Sequence, residues 1–151
     1  MGKKKNKSVR FTYTPGTAVK APRSFLKPLD NKFIWAFRCD KVDWEHPYYG
    51  FCVKRIPQFI RSIKPKLDNY ATMKWAEITA KESCHYMDTS RLSKGLISRI
   101  IELFGENGPE TLYQIRLDGT HRVWGYREDN IFYVMFNDPE HLGYPVGKKH
   151  T

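Results

Sequence analysis

Residues 111–137 fall into three short runs separated by two tight-turn signals, and no other feature limits the fold so strongly. TLYQIRL (111–117) precedes Asp118–Gly119–Thr120. HRVWGYR (121–127) precedes Glu128–Asp129–Asn130, and IFYVMFN (131–137) follows. β-Branched and aromatic residues fill the runs, and Asp-Gly is hairpin chemistry. The pattern predicts an antiparallel three-strand meander. Gly125, inside the middle run, predicts a bulge or the close approach of another group.

Ahead of the meander the period is helical. Ile56, Phe59, Ile60, Ile63 and Leu67 predict a helix with Pro57 in its first turn and Pro65 kinking or ending it. Thr72 reads as the N-cap of a short helix carrying Trp75 and Ile78. Thr89 or Ser90 reads as the cap of a longer helix whose stripe is Leu92, Leu96, Ile100 and Leu103, stopped by Gly105 and Gly108–Pro109. FIWAFR (33–38) reads as a strand, 39–51 as a loop and KESCHYMD (81–88) as a polar connection. The order β–α–α–α–β–β–β is α+β: an N-terminal strand and helices, then a C-terminal antiparallel β-meander. The long helix is expected across one sheet face, leaving the other free for function.

The 151 residues suit one domain, and 40% hydrophobic residues exclude a wholly disordered chain. No stretch approaches the ~18–20 apolar residues of a membrane span, and no apolar run follows MGKKKNKSVR. The expectation is a cytoplasmic protein with no membrane partner. Cys39, Cys52 and Cys84 are odd in number and lack CxxC spacing, so free thiols are expected. The net charge of +10 is uneven. Residues 1–31 hold eight Lys/Arg and one acid, net +7. The other 120 residues hold 18 against 15, net +3. Residues 1–31 therefore read as a basic, largely irregular tail, and 32–151 as a single α+β domain. Lys3, Lys4, Lys5, Lys7 and Arg10 can bind phosphates without sequence choice, or merely solubilise the chain.

Alternation sets the faces of the middle run. Arg122, Trp124 and Tyr126 point one way, and His121, Val123, Gly125 and Arg127 the other. In the last run Phe132, Val134 and Phe136 should share a face. Trp124 and Phe136 are expected in the core. Arg122, flanked by Val123 and Trp124, needs an anionic partner if buried. Asp138–Pro139–Glu140–His141 puts a histidine and acids just past a strand end, a position suited to acid–base work and equally to capping a turn. His85 lies in the connection before the long helix. Neither GxxxxGK[ST] nor GxGxxG is present, and no histidine or cysteine spacing indicates a metal site, so no cofactor or metal is assigned.

MKWAEI (73–78), the His85 segment, LYQIRLDGTHRVWGYRE (112–128), FYVMFNDPEHLGYP (132–145) and the KKHT ending together resemble a set of small, uncharacterised bacterial and phage-type proteins. R-V-W-G (122–125) and D-P-E-H (138–141) carry most of the likeness. The order of elements is similar to that of RelE-like toxins of toxin–antitoxin systems. The resemblance implies a RelE-like fold and a metal-independent, ribosome-associated mRNA endoribonuclease, with RNA or the ribosome and an antitoxin-like protein as partners. On that analogy Arg122 neutralises the scissile phosphate, His141 is the acid or base, and Asp138 orients it. His85 and Tyr126 are second choices, while Arg127 and the tail lysines hold the RNA backbone. The alternative is a non-catalytic RNA-, ribosome- or protein-binding module from a phage or mobile element. A third reading makes His85, Arg122, Asp138 and His141 a buried polar network that fixes the C-terminal segment.

Overall fold

The computed structural model describes residues 31–145. The expectations for the tail lysines and Arg10, and for the KKHT ending, lie outside the described residues. The described chain is α+β. A five-stranded sheet in the order β1-β5-β4-β3-β2 is built from β1 (Ile34–Ala36), β2 (His85–Asp88), β3 (Thr111–Asp118), β4 (His121–Glu128) and β5 (Ile131–Asp138). β3, β4 and β5 form the expected meander. β1 joins β5 in parallel, with Ile34 opposite Ile131.

β2 corrects the reading of 81–88 as connection. It pairs antiparallel with β3, setting His85 opposite Gln114 and Asp88 opposite Thr111. Four residues with polar ends carry too little alternation to signal a strand.

The helices are α1 (Ile56–Gln58), α2 (Lys64–Tyr70), α3 (Trp75–Thr79) and α4 (Lys94–Phe104). α1 and α2 are one continuous rod, joined by a π-helical turn over Phe59–Ile63 in which the Lys64 N–H reaches back five residues to the Phe59 carbonyl. Pro65 therefore neither ends nor breaks the helix. A proline crowds the carbonyl four residues behind it, here Arg61, and the wide turn opens the rod at that point. The extra residue rotates the rest of the rod by ~100°. Ile63 and Leu67 then face the core, whereas Ile56 and Ile60 face solvent.

Two expected caps also move. Lys74, not Thr72, is the N-cap of α3, and Glu77 accepts its N–H at 2.7 Å. Thr72 instead closes the end of α2 by donating to the Asn69 carbonyl. Ser93 caps α4. Thr89 and Ser90 lie in the preceding 3-10 turn, which Asp88 caps.

Both faces of the sheet are covered. Leu92, Leu96 and Ile100 pack on Leu112, Trp124, Met135 and Phe136. On the opposite face Ile63, Leu67, Trp75 and Ile78 pack with Tyr113, Ile115, Val123, Phe132 and Val134. The expected open face does not exist. The expected bulge does: Trp124 is opposite Phe136 but Gly125 is opposite Val134, so Met135 is the extra residue. That shift turns Phe136 to the α4 side, away from Phe132 and Val134. A Cβ on Gly125 would lie 2.0 Å from the Tyr133 carbonyl oxygen and 2.8 Å from the Phe132 ring, so only glycine fits.

At the end of β5 the chain turns back on a buried carboxylate. Asp138 is fully buried. Its Oδ1 accepts from the Tyr48 hydroxyl (2.7 Å) and the Leu142 N–H (2.8 Å). Its Oδ2 accepts from Trp124 Nε1 (3.0 Å) and the Gly143 N–H (2.8 Å). Burial and the adjoining carboxylate push the Tyr48 phenol above its ordinary pKa, so it stays protonated and donates. The Ser93 N–H then donates to the Gly143 carbonyl at 2.7 Å, fastening the returning segment to the start of α4. The loop 39–51 is fastened as well. Buried Asp43 pairs with Arg99 of α4 at 2.6 Å, and His46 Nδ1 accepts the N–H groups of Tyr48 and Tyr49.

Two substitutions test this arrangement by denaturant unfolding. Gly125→Ala must displace backbone, so it should cost about 3 kcal/mol or more. Asp138→Asn puts an N–H group among donors and should cost about 3 kcal/mol. A loss below about 1 kcal/mol for Asp138→Asn would show that the carboxylate does not hold the segment.

Candidate functional site

The end of the sheet nearest the β3–β4 turn is polar on the α4 side. Arg122 on β4 faces Arg116 on β3 and stands opposite Asp138 on β5. His85 and Gln114 occupy the neighbouring row on β2 and β3. The segment after β5 carries His141 over this corner.

Arg122 is 8% exposed. Its Nη1 donates to the carbonyls of Gly119 (2.8 Å) and His121 (3.1 Å), while its Nε is buried without a partner. It makes no ion pair with any described residue. Asp138 is its register neighbour, but that carboxylate already accepts four neutral donors. Burial, and then the like charge of Arg116, depress the Arg122 pKa. The result is a desolvated cation without a bound counter-charge, the condition that favours an anionic ligand.

His141 has a left-handed backbone, φ 57°. A side chain with a Cβ adopts that region at a cost of roughly 1 kcal/mol, and the hydrogen bonds of the Asp138 return enforce it. Its Nε2 lies 3.2 Å from Gln114 Oε1. Gln114 is buried, and its Nε2 donates to the Ser83 carbonyl at 3.1 Å. That bond fixes the amide so that its oxygen faces the imidazole. Nε2 of His141 therefore carries the proton, and Nδ1 is left as a lone pair. No described residue donates to Nδ1. Burial, then the charge of Arg122, hold the His141 pKa below its ordinary value, with lesser help from His85 and Arg116 and opposition from Asp138. His85 is half-buried, with Nδ1 2.9 Å from the Glu82 carbonyl.

Four sequence candidates thus come together, Arg122, His141, His85 and Asp138, though not as expected. Asp138 anchors the segment that carries His141, and Gln114 orients the ring. Sequence reasoning missed Gln114 and Arg116. Their signal was a polar residue amid an apolar strand, and an arginine six places before Arg122, its partner across the hairpin.

Two other candidates lie elsewhere. Tyr126 is on the same face as Arg122 but about 13 Å along the strand. It stacks on Tyr133 at 5.0 Å, accepts from Arg38 and has its pKa pushed up to about 12, chiefly by burial. Arg127 is buried on the opposite face, its Cζ 4.0 Å from the Trp75 ring centroid and its Nε donating to the Asp129 carbonyl. It is not presented to a ligand in solvent.

Beyond the β3–β4 turn lies an open groove of about 620 Å³, lined by Gln58, Arg61, Ser62, Lys66, Thr120 and His121 among others. Gly119, whose carbonyl holds Arg122, also borders it, so the groove and the polar corner share that turn. Among the described residues no helix is long and apolar enough to cross a membrane.

No curated protein and no solved structure matches the chain. One family does, over residues 50–151, a span that includes β2 to β5, α4 and every member of the polar corner. The chain belongs to the family described as Uncharacterised protein UU032.

Proposed function

We propose that the protein binds single-stranded RNA at the Arg116–Arg122–His141–His85 corner and cleaves it without a metal ion. The observation that carries this reading is Arg122: nearly buried, unpaired by any described residue, faced by a second arginine and adjacent to a histidine with a free Nδ1. Strand cleavage by the 2′-hydroxyl needs those groups. A base removes the hydroxyl proton, a cation offsets charge on the phosphate, and an acid protonates the departing 5′-oxygen.

His141 suits the base. Gln114 holds it in the Nε2–H form, and its low pKa keeps Nδ1 unprotonated near neutrality. Arg122 and Arg116 suit the phosphate, and His85 the acid. Arg61 and Lys66 would continue the backbone contacts across the turn. The likeness to RelE-like toxins in the order of elements expected from the sequence points to the same chemistry and would make the RNA a messenger on the ribosome.

A second reading has its own observation. Asp138 is wholly occupied in holding the segment 139–143. The corner could then be an anion-binding surface of a non-catalytic RNA-binding module, with His141 as a packing element.

The test is cleavage of an end-labelled single-stranded RNA in EDTA, beside the same sequence as DNA. The wild type should cut only the RNA, leaving a 2′,3′-cyclic phosphate. His141→Gln should lower the rate about a hundredfold or more. Arg116→Ala, at an exposed position, should weaken binding and reduce its salt dependence. Folded protein that binds RNA through Arg116 but never cuts it would favour the second reading. Absence of both binding and cleavage would exclude the two together.

The pH dependence has a definite sign. A base with a folded pKa below the ordinary 6.5 gives a rising limb of the rate–pH profile whose midpoint lies below 6.5. For stability, a depressed histidine pKa means that the fold disfavours the proton. The contribution is complete above the unfolded pKa of about 6.5 and is lost as pH falls through the folded value. Unfolding measured across that window should show this loss in wild type and not in His141→Gln.

A further inference from the structure

We infer that the outward stripe of the α1–α2 rod, together with the loop 39–51 beside it, is a docking groove for an acidic amphipathic helix of another protein. Val53, Ile56 and Ile60 are 80%, 47% and 57% exposed, and Trp44 is 41% exposed. Val53 lies in the 3-10 turn Val53–Arg55 that leads into the rod, and with Ile56 and Ile60 it stands at i, i+3 and i+7, on one face of the continuous helical stretch. The π-helical turn produces this exposure, because it turns Ile63 and Leu67 inward and leaves the preceding apolar positions outward. Single exposed apolar residues are ordinary on a protein surface, but a contiguous apolar stripe indicates an interaction site.

The shape favours a helix. Phe37, Trp44, Phe51, Ile56 and Phe59 wall a depression between the loop and the rod. A depression beside a ridge receives the projecting side chains of an amphipathic helix, as in helix-in-groove recognition. A lipid surface instead favours a protruding apolar edge.

The charge selects the partner's sign. From Val53 to Leu67 the chain carries Lys54, Arg55, Arg61, Lys64 and Lys66 and no acid. On the loop side Asp40 lies 3.6 Å from Arg38 and Glu45 3.9 Å from Arg99, at the exposed surface, and on the rod Lys64 pairs with Asp68 at 2.6 Å, which leaves Lys54, Arg55, Arg61 and Lys66 as the positive rim. A second copy of this chain would bring the same basic rim, and the N-terminal 31 residues are themselves net +7. Both occupants are disfavoured by like-charge repulsion, whereas an acidic helix is complementary in apolar face and in charge.

The test uses the full chain and two labelled peptides of about five helical turns, each with leucines on one face. One carries glutamates on its other face, and the control carries lysines. Fluorescence anisotropy should show binding of the glutamate peptide, weakened by salt, and none of the lysine peptide. Ile56→Asp with Ile60→Asp, at exposed positions, should weaken it about tenfold or more with the unfolding midpoint nearly unchanged, and Lys54→Glu with Arg55→Glu should weaken it similarly.

Four results would overturn the proposal. The peptides could bind equally, or neither could bind. The stripe variants could abolish binding to 3:1 phosphatidylcholine–phosphatidylglycerol vesicles while leaving the peptide unaffected, which would assign the stripe to a membrane. A concentration-dependent dimer lost in Ile56→Asp would assign it to self-association.

Discussion

The Asp138 carboxylate is the constraint on which the functional end of the molecule depends. A buried carboxylate is costly unless it is fully hydrogen-bonded, and this one accepts from four donors. The donors come from three separate places: the loop 39–51, strand β4, and the chain just past β5. Satisfying one side chain therefore sets the position of three segments at once. Gly143 completes the arrangement, since a Cβ there would lie within 2.9 Å of the carboxylate, Leu96 and the Trp124 nitrogen. The two motifs that stand out in the sequence, R-V-W-G and D-P-E-H, are two ends of this single interaction, Trp124 donating and Asp138 accepting.

The two buried carboxylates are treated in opposite ways, and the difference creates the candidate site. Asp43 meets a guanidinium directly, because Arg99 reaches it with Nε at 2.6 Å and Nη2 at 2.9 Å. Asp138 is capped by neutral donors, although Arg122 stands beside it on β4. Arg122 turns its Nη1 to two carbonyls instead. A guanidinium bound only to carbonyl dipoles keeps most of its charge uncompensated. Arg116 beside it makes the local potential more positive, and burial, then the charge of Arg122, depress the His141 pKa. Electrostatic strain of this kind is an ordinary property of sites that receive an anion.

The strength of the local pattern decided what the sequence could reveal. The meander was legible because alternation and turn chemistry agreed over 27 residues, and Gly125 announced its bulge. The stripe of α4 was legible for the same reason at Leu92, Leu96 and Ile100, whereas Leu103, expected to continue it, is exposed, and the cap is Ser93 rather than Thr89 or Ser90. β2 was not, since four residues stabilised by pairing carry no pattern of their own. The π-turn was not either, because a one-residue insertion leaves the apolar positions in place and changes only the face on which they emerge. Of the site, Arg122 and His141 were visible as polar residues in unusual places. The partner of His141 was not, because Gln114 becomes its neighbour only through the turn at Asp138, a tertiary event that strand alternation does not encode.

The same argument links the two surfaces. Local rules are broken at His141, which shares a left-handed conformation only with Asp129 among the described non-glycine residues, and in the rod, which carries a wide turn ahead of Pro65. The wide turn brings Ile63 and Leu67 onto the core but leaves Ile56 and Ile60 in solvent, and the His141 conformation adds strain. A residue with an ordinary backbone after Asp138 would remove the strain at His141. A regular rod would aim Ile60 and Ile63 by a single helical period instead of dividing them between solvent and core. Departures of that kind persist where something outside stability maintains them. At His141 the result is an imidazole lone pair beside two arginines. On the rod it is an apolar stripe with a basic rim. The two lie on different elements and share only Arg61 and Lys66 among the side chains named for both, and these border the groove at the β3–β4 turn. A partner held by the stripe would therefore lie close to the path proposed for RNA, and Arg61 and Lys66 are the residues through which occupancy of one surface would alter the other.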